Sequence, residues 1–185
     1  MSLPLYSIAQ QHADQQPEIE QLLDDVFGLS RRTKTSYRLR EGERPLDGLS
    51  FVALAPGGDI LGAISFWTLH IGETGSGALL LGPLAVAPAF HGKGIGRALM
   101  RHGLTEAKQL GHRLVILVGD EPYYGRVGFR KVPDGHLVMP GPVDAGRLLY
   151  LELQKDALAE SNGLVLSPGK FVPKPATCLR GTTSG

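Results

Sequence analysis

Several features that would assign the chain to a particular class of protein are missing from its sequence. Only one cysteine, Cys178, occurs among 185 residues, so neither an intramolecular disulfide nor a cysteine-based zinc site can form, and nothing points to secretion. The formal net charge of +1 argues neither for nor against nucleic acid, and we expect no nucleic-acid partner. Histidines other than His91 lack the spacing of metal ligands, so we expect no metal site.

Long apolar runs are also missing. The longest uncharged stretch, residues 74–91, is broken by Gly82, Pro83 and Pro88, so it predicts strands and a turn instead of a membrane span. The first five residues lack the basic segment and apolar run of a signal peptide. We therefore expect no membrane partner and a cytoplasmic location.

The length and composition are those of a single globular domain. Apolar residues make up 42% of the chain and charged residues 20%, which is enough to build a buried core. After Lys155 the periodicity is lost, and Pro, Gly, Ser and Thr become frequent. We therefore predict one domain over residues 1–160 and a C-terminal tail over residues 161–185.

The hydrophobic pattern predicts an α/β (α+β) fold with a mixed sheet. Helical spacing covers residues 17–27 and 94–110, and a polar, basic segment at 31–40 forms a short helix or a loop. A further short helix is expected at residues 121–127. Strands are predicted at residues 5–10, 49–55, 60–69, 78–86, 114–118, 129–132 and 148–153. The strand–helix–strand order of residues 78–118 predicts a right-handed crossover between parallel strands.

A glycine-rich turn joins the strand at 78–86 to the helix that follows. Gly92, Gly94 and Gly96 let the backbone approach a ligand closely, while the first amides of a helix have no backbone acceptor and carry positive dipole charge. Lys93 and Arg97 add cations at the rim. The pattern favours an anion site for a phosphate or pyrophosphate. The alternative is a tight turn that needs glycine for packing alone.

Two other phosphate-binding motifs do not match this turn. A Walker A loop has Gly-Lys-Ser/Thr, whereas Lys93 is followed by Gly94, and the spacing G-x-G-x-G differs from the dinucleotide pattern G-x-G-x-x-G. Asp120, at the end of the next strand, stands where an acid that binds ribose would be. A nucleotide-binding protein therefore remains an alternative.

Two blocks of sequence resemble the GNAT superfamily of acetyl-CoA-dependent N-acyltransferases. Residues 91–96 resemble its motif A, Q/R-x-x-G-x-G/A, with His91 in place of the first residue. Residues 124–129, beginning with Tyr124, resemble its Y-x-x-x-G-F segment at a suitable distance downstream. The segments 82–84 and 117–120 are similar to those of the YhbS-type predicted acetyltransferases.

The resemblance implies a GNAT-like fold and a site for acetyl-CoA. In this family two central parallel strands splay apart, and the pantetheine arm lies between them, so the backbone N–H of Val86 is the expected donor to the developing oxyanion. Tyr124 is the expected general acid for the departing thiolate. The resemblance implies that acetyl-CoA is bound by Leu84, Ala85, Val86, His91, Gly92, Lys93, Gly94, Ile95, Gly96 and Arg97.

The acceptor is expected to be a small-molecule or peptide amine that attacks directly in a ternary complex. Asp120 and Glu121 are more typical of a helix start than of a general base, so the base is left unassigned. The basic segment 31–40 either holds an anionic group of the acceptor or is a solvated face balanced by the acidic residues before it. The alternative function is a non-catalytic acyl-CoA-binding or sensor domain. A homodimer is allowed, but the sequence does not fix the oligomeric state.

Overall fold

The computed structural model describes residues 5–174, and these residues are organised around a mixed β-sheet. The strands are β1 (Ser7–Gln10), β2 (Ser50–Leu54), β3 (Ile60–Ile71), β4 (Ser76–Val86), β5 (Leu114–Val118), β6 (Arg130–Lys131), β7 (Leu137–Val138), β8 (Leu148–Glu152) and β9 (Gly163–Leu166). The helices are α1 (Gln16–Phe27), α2 (Thr35–Arg38), α3 (Ile95–Gln109) and α4 (Glu121–Tyr124). The sheet runs in the order β1-β2-β3-β4-β5-β8-β6, and β9 pairs with β3 and β7. The predicted mixed α/β fold is confirmed.

The two long helices cover opposite faces of this sheet. Phe51 of β2 belongs to the core cluster of α3, whereas its neighbour Val52 belongs to the cluster of α1. Since successive residues of a strand point to opposite faces, the helices lie on opposite sides. Helix α3 approaches the sheet closely, because a Cβ at Gly103 would meet the Phe66 ring at 2.5 Å.

The parallel strands β4 and β5 are paired at one end and separate at the other. Their register contains only the pairs Leu79–Val115 and Leu80–Ile116. Beyond Leu81 the pairing of β4 with β3 shifts register, and the Trp67 indole N–H donates to the Gly82 carbonyl at 2.6 Å within this irregularity. The predicted parallel crossover is therefore present, with a gap between the carboxyl ends of its strands.

The C-terminal part of the fold corrects the sequence analysis. Residues 163–166, predicted as part of a tail, form β9, which pairs with β3 through Ile71 and Val165. Val165 is fully buried, so this segment belongs to the folded domain. Strands β7 and β9 were missed because two to four residues beside glycine and proline show too little alternation to predict a strand. Cys178 and the rest of the predicted tail beyond residue 174 lie outside the described residues.

Smaller differences concern element boundaries. The segment at 31–40 contains a one-turn 3-10 helix followed by α2, and the helix predicted at 121–127 is α4 plus a 3-10 turn over Gly125–Val127. Such shifts are ordinary at helix ends. Within residues 5–174, every helix is too short or too polar to cross a bilayer.

Candidate active site

The turn between β4 and α3 presents free backbone amides. Gly92 and Gly94 have φ values of 76° and 80°, and a Cβ at either position would meet no atom within 4 Å, so both face open space. The first hydrogen bond of α3 joins Ala98 N to Gly94 O at 3.0 Å. No described side chain caps the helix, so the amides of its first turn lack a protein acceptor. This geometry suits a bound anion.

Gly96 has a different environment from the other two glycines. A Cβ at this position would collide with the hydroxyl group of Tyr123, and the residue itself is buried. The phenol of Tyr123 therefore lies against the first turn of α3. Its pKa is raised by burial, and the nearby Arg97 guanidinium opposes this change.

The edge of β4 that faces the gap carries backbone groups that β3 does not pair, and among them the Val86 carbonyl accepts from the His91 side chain. Ala87 N donates to Leu61 O at 2.8 Å, and the register with β3 is constant from Ile64–Leu84 to Gly62–Val86. Because backbone groups alternate in direction along a strand, Leu84 and Val86 direct theirs away from β3, toward the gap. By the same alternation, the backbone groups of Ala85 pair with β3. Ala85 therefore lines the cavity but directs no hydrogen-bond donor into the gap.

Most of the other residues predicted to bind the coenzyme lie at the same end of the sheet. The Nε2 of His91 donates to the Val86 carbonyl oxygen at 2.7 Å. The His91 side chain therefore links the turn to the end of β4 and stabilises it. Ile95 is buried under the turn, and Arg97 lines the adjoining cavity. Lys93 is exposed, with its ammonium group 4.9 Å from the centre of the Phe90 ring.

Two cavities open on either side of the gap. The glycine-turn cavity, about 580 Å³, is bounded by the end of β4, the turn and the start of α3. The α2 cavity, about 420 Å³, is bounded by the bulge of β4, the α2 region and the end of β5. The residues that line both cavities are Phe27, Leu84, Asp120, Tyr123 and Tyr124. A ligand in one cavity can therefore contact a ligand in the other.

Tyr124 stands in the wall that the two cavities share. Burial raises its pKa to about 12, the neighbouring Tyr123 and Asp120 act in the same direction, and Arg147 opposes them. The phenol is therefore protonated at neutral pH. Its ring packs on Gly119, where a Cβ would collide with it. The absence of a side chain at Gly119 thus leaves the space that the ring occupies.

The acidic residue Asp120 also lines both cavities. Its side chain does not cap α4; instead Arg147 Nε lies 3.2 Å from Asp120 Oδ1. From the sequence, Asp120 is expected either as an acid that binds ribose or as a residue of the helix start, and the structure places it between the two cavities. Other lining residues that were missed are Phe27, Phe90 and Arg126, which carry no motif of their own.

For the basic segment 31–40 the sequence left two alternatives, and Arg31 and Arg32 follow the one in which the preceding acidic residues balance the charge. Arg31 is 2% exposed, and it binds Glu20 at 2.5 Å, Asp24 at 2.8 Å and the Tyr37 hydroxyl. Burial opposes its charge, but these three hydrogen bonds raise the pKa of Arg31 above its ordinary value. Arg32 lies 3.9 and 3.8 Å from the same carboxylates. The acidic residues of α1 therefore balance both arginines.

Residues 5–174 contain no group of histidine, cysteine and acidic side chains arranged to hold a metal ion. The polar side chains that line both cavities are Tyr123, Tyr124 and Asp120.

Comparison with known proteins identifies the family. Residues 16–129 match the Acetyltransferase (GNAT) family. The chain is 29% identical over 152 residues to the uncharacterized N-acetyltransferase YhbS of Escherichia coli strain K12, covering 80% of this chain and 88% of that protein. The chain belongs to the GNAT acetyltransferase family, and the resemblance inferred from the two sequence blocks is confirmed.

Solved structures agree with this assignment. The crystal structure of Escherichia coli YhbS in complex with CoA superposes with a TM-score of 0.78 at 26% identity, covering 90% of this chain and 92% of the other. A GNAT family acetyltransferase from Brucella melitensis in complex with acetyl-CoA gives 0.59 at 30% identity, covering 75% and 90%. The chain has the GNAT fold and is an acyltransferase by family.

Proposed function

We propose that this protein transfers an acetyl group from acetyl-CoA to a primary amine, which attacks directly in a ternary complex. The observation that carries the proposal is the meeting of two cavities at Leu84 and Tyr124, one beside free helix amides and the other open to an acceptor. The complexes of the two relatives with CoA and acetyl-CoA support the assignment of the first cavity.

The glycine-turn cavity fits acetyl-CoA. The free amides at the start of α3 bind the pyrophosphate, and the positive charge of Arg97 adds to them. Leu84 offers its backbone N–H and carbonyl to the pantetheine arm, as a neighbouring strand would, and Val86 offers its N–H, because its carbonyl accepts from His91. The Val86 N–H then donates to the thioester oxygen as negative charge develops on it.

Tyr124 acts on the departing sulfur. A phenol with a pKa near 12 remains protonated, but complete proton transfer to a thiolate, whose acid has a pKa of about 8.5, is unfavourable. Tyr124 therefore contributes by donating a hydrogen bond that strengthens as charge accumulates on sulfur. The proton that the amine nitrogen loses as the amide forms passes through water to the thiolate, so CoA leaves as the thiol.

The attacking amine must arrive without its proton. Asp120 is our candidate for accepting this proton, directly or through water, because its carboxylate lines both cavities. Its contact with Arg147 at 3.2 Å orients the carboxylate. That pairing also argues against the ribose-binding role in the alternative of a nucleotide-binding protein.

The direct test is release of free CoA from acetyl-CoA in the presence of pooled amines, polyamines, amino acids and peptides. We expect release that depends on an amine and yields an acetylated product. Binding of acetyl-CoA without turnover in any pool would instead indicate a non-catalytic sensor domain. Tighter binding of NAD or ATP than of CoA would contradict the assignment of the turn.

A further inference from the structure

The α2 cavity contains a second arginine that is largely buried, Arg40. Its guanidinium carbon lies 3.9 Å from the centre of the Tyr37 ring and 5.6 Å from that of Trp67. Its Nε donates to the Ser36 carbonyl at 2.9 Å, and the Tyr37 hydroxyl and the Glu20 carboxylate lie close enough to favour its charge. No carboxylate in the described part of the chain forms an ion pair with it. Arg40 is thus held in place by aromatic rings and by one backbone oxygen.

Arg31 and Arg40 are close in sequence but differ in how their charge is compensated. Arg31 has two carboxylate partners. Burial instead lowers the pKa of Arg40 to about 10, which still leaves it charged at neutral pH. Burial outweighs the favourable effects of Tyr37 and Glu20 on the Arg40 charge, so an anion that entered the cavity beside Arg40 would be stabilised.

The lining of the cavity holds four cationic side chains and two carboxylates. Asp120 is paired with Arg147, whereas the Asp144 carboxylate accepts the Gly146 N–H at 2.8 Å and keeps its negative charge. Lys34 lines the cavity with its ammonium group 5.9 Å from the centre of the Phe27 ring. Arg40 and Lys34 are therefore the lining cations that the described carboxylates leave without an ion pair.

We propose that the acceptor is an amine that also carries an anionic group, a carboxylate or a phosphate, and that Arg40 binds this group with support from Lys34. This inference rests on the proposed acyl transfer. The planar guanidinium pairs with either anion through two parallel hydrogen bonds, which orients the acceptor. With its anion at Arg40, the acceptor's amine lies toward the shared wall at Tyr124.

Matched pairs of amines test the inference. Phenylalanine is compared with phenylethylamine, which lacks only the carboxylate, and phosphoethanolamine with ethanolamine. We expect kcat/KM to favour the anionic member of at least one pair by about tenfold or more, the effect of one charge-assisted hydrogen bond. The pair that shows the preference distinguishes carboxylate from phosphate.

Variants assign the preference to Arg40. In Arg40→Gln the ratio within the pair should fall to about one, and Arg40→Lys should restore part of it, because a point charge replaces the planar fork. Arg38→Gln, an exposed arginine of α2, is the matched control and should keep the wild-type ratio. The ratio does not depend on how much of a variant is folded. Equal rates within both pairs, or an unchanged ratio in Arg40→Gln, would overturn the inference.

A binding measurement separates this inference from the proposed function. N-acetylphenylalanine and N-acetylphenylethylamine are titrated into protein saturated with CoA. A preference of about tenfold for the carboxylate that disappears in Arg40→Gln supports the inference even if no amine is acetylated. Equal affinities would contradict it even if turnover is observed.

Discussion

The two cavities that meet at Tyr124 are built from different parts of the polypeptide. The glycine-turn cavity presents backbone groups, namely the first amides of α3 and the free edge of β4. The α2 cavity presents side chains, among them Arg40, Lys34 and Tyr37. Apart from the glycines of the turn, a site made of backbone groups depends little on side-chain identity, so it suits a ligand common to a whole family. A site made of side chains can change with each substitution, so it determines which acceptor is used.

The largest effect is expected at the point where the cavities meet. Tyr124→Phe should lower kcat by about 10²–10³-fold, because the departing sulfur loses its hydrogen bond, while acetyl-CoA affinity changes little. Steady-state kinetics and calorimetry measure the two quantities. Tyr150→Phe, a partly buried tyrosine on β8, is the control and should behave as wild type. A Tyr124→Phe variant that keeps more than half of kcat would remove Tyr124 from the mechanism.

The ion pairs behind the α2 cavity should matter for stability. Arg31→Gln leaves Glu20 and Asp24 without their buried partner, so the free energy of unfolding should fall by about 3 kcal/mol. Urea denaturation measures this change. Arg38→Gln, at an exposed position, should change it by less than about 0.5 kcal/mol. Similar values for the two variants would show that the ion-pair network does not hold the cavity wall.

The position of the Tyr124 ring can be tested without changing the phenol itself, by a substitution at Gly119, on which the ring packs. In Gly119→Ala the new methyl group collides with the Tyr124 ring, so the hydroxyl must move and kcat should fall by about 10–10²-fold. Gly125→Ala is the matched control, because a Cβ there meets no atom within 4 Å and φ is −59°. Equal kcat values for the two variants would show that the ring position is not limiting.

The smallest effect is expected on coenzyme affinity. Gly94→Val should weaken acetyl-CoA binding by about tenfold, or 1.4 kcal/mol, because a branched side chain occupies the space of the phosphates. Gly111→Val, at the other end of α3, has a similar φ of 87° and equally open surroundings, so it carries the same backbone strain. Calorimetry on both variants separates the effect on the binding site from the effect of backbone strain. Equal acetyl-CoA affinities for the two variants would contradict the location of the site.

The sequence predicted these two regions unequally, for a physical reason. The glycine turn depends on local backbone geometry, so the alternating glycines of residues 92–96 predicted it directly. The order of the strands around α3 was predicted from the spacing of apolar residues along the chain. The α2 cavity depends on which distant groups meet. That Arg31 pairs with Asp24 while Arg40 does not is decided by the packing of α1 and α2, which no local pattern records. Strand β9 was missed because its pairing with β3 is also long-range.

A bisubstrate compound, CoA joined through an acetyl linker to an amine acceptor, tests most directly whether the two cavities form one site. Because it fills both cavities at once, we expect it to bind about 10²-fold or more tightly than CoA, as measured by calorimetry. Its advantage should shrink in Arg40→Gln when the acceptor portion is anionic. Affinity no higher than that of CoA alone would contradict the account that acetyl-CoA and an amine meet at Tyr124.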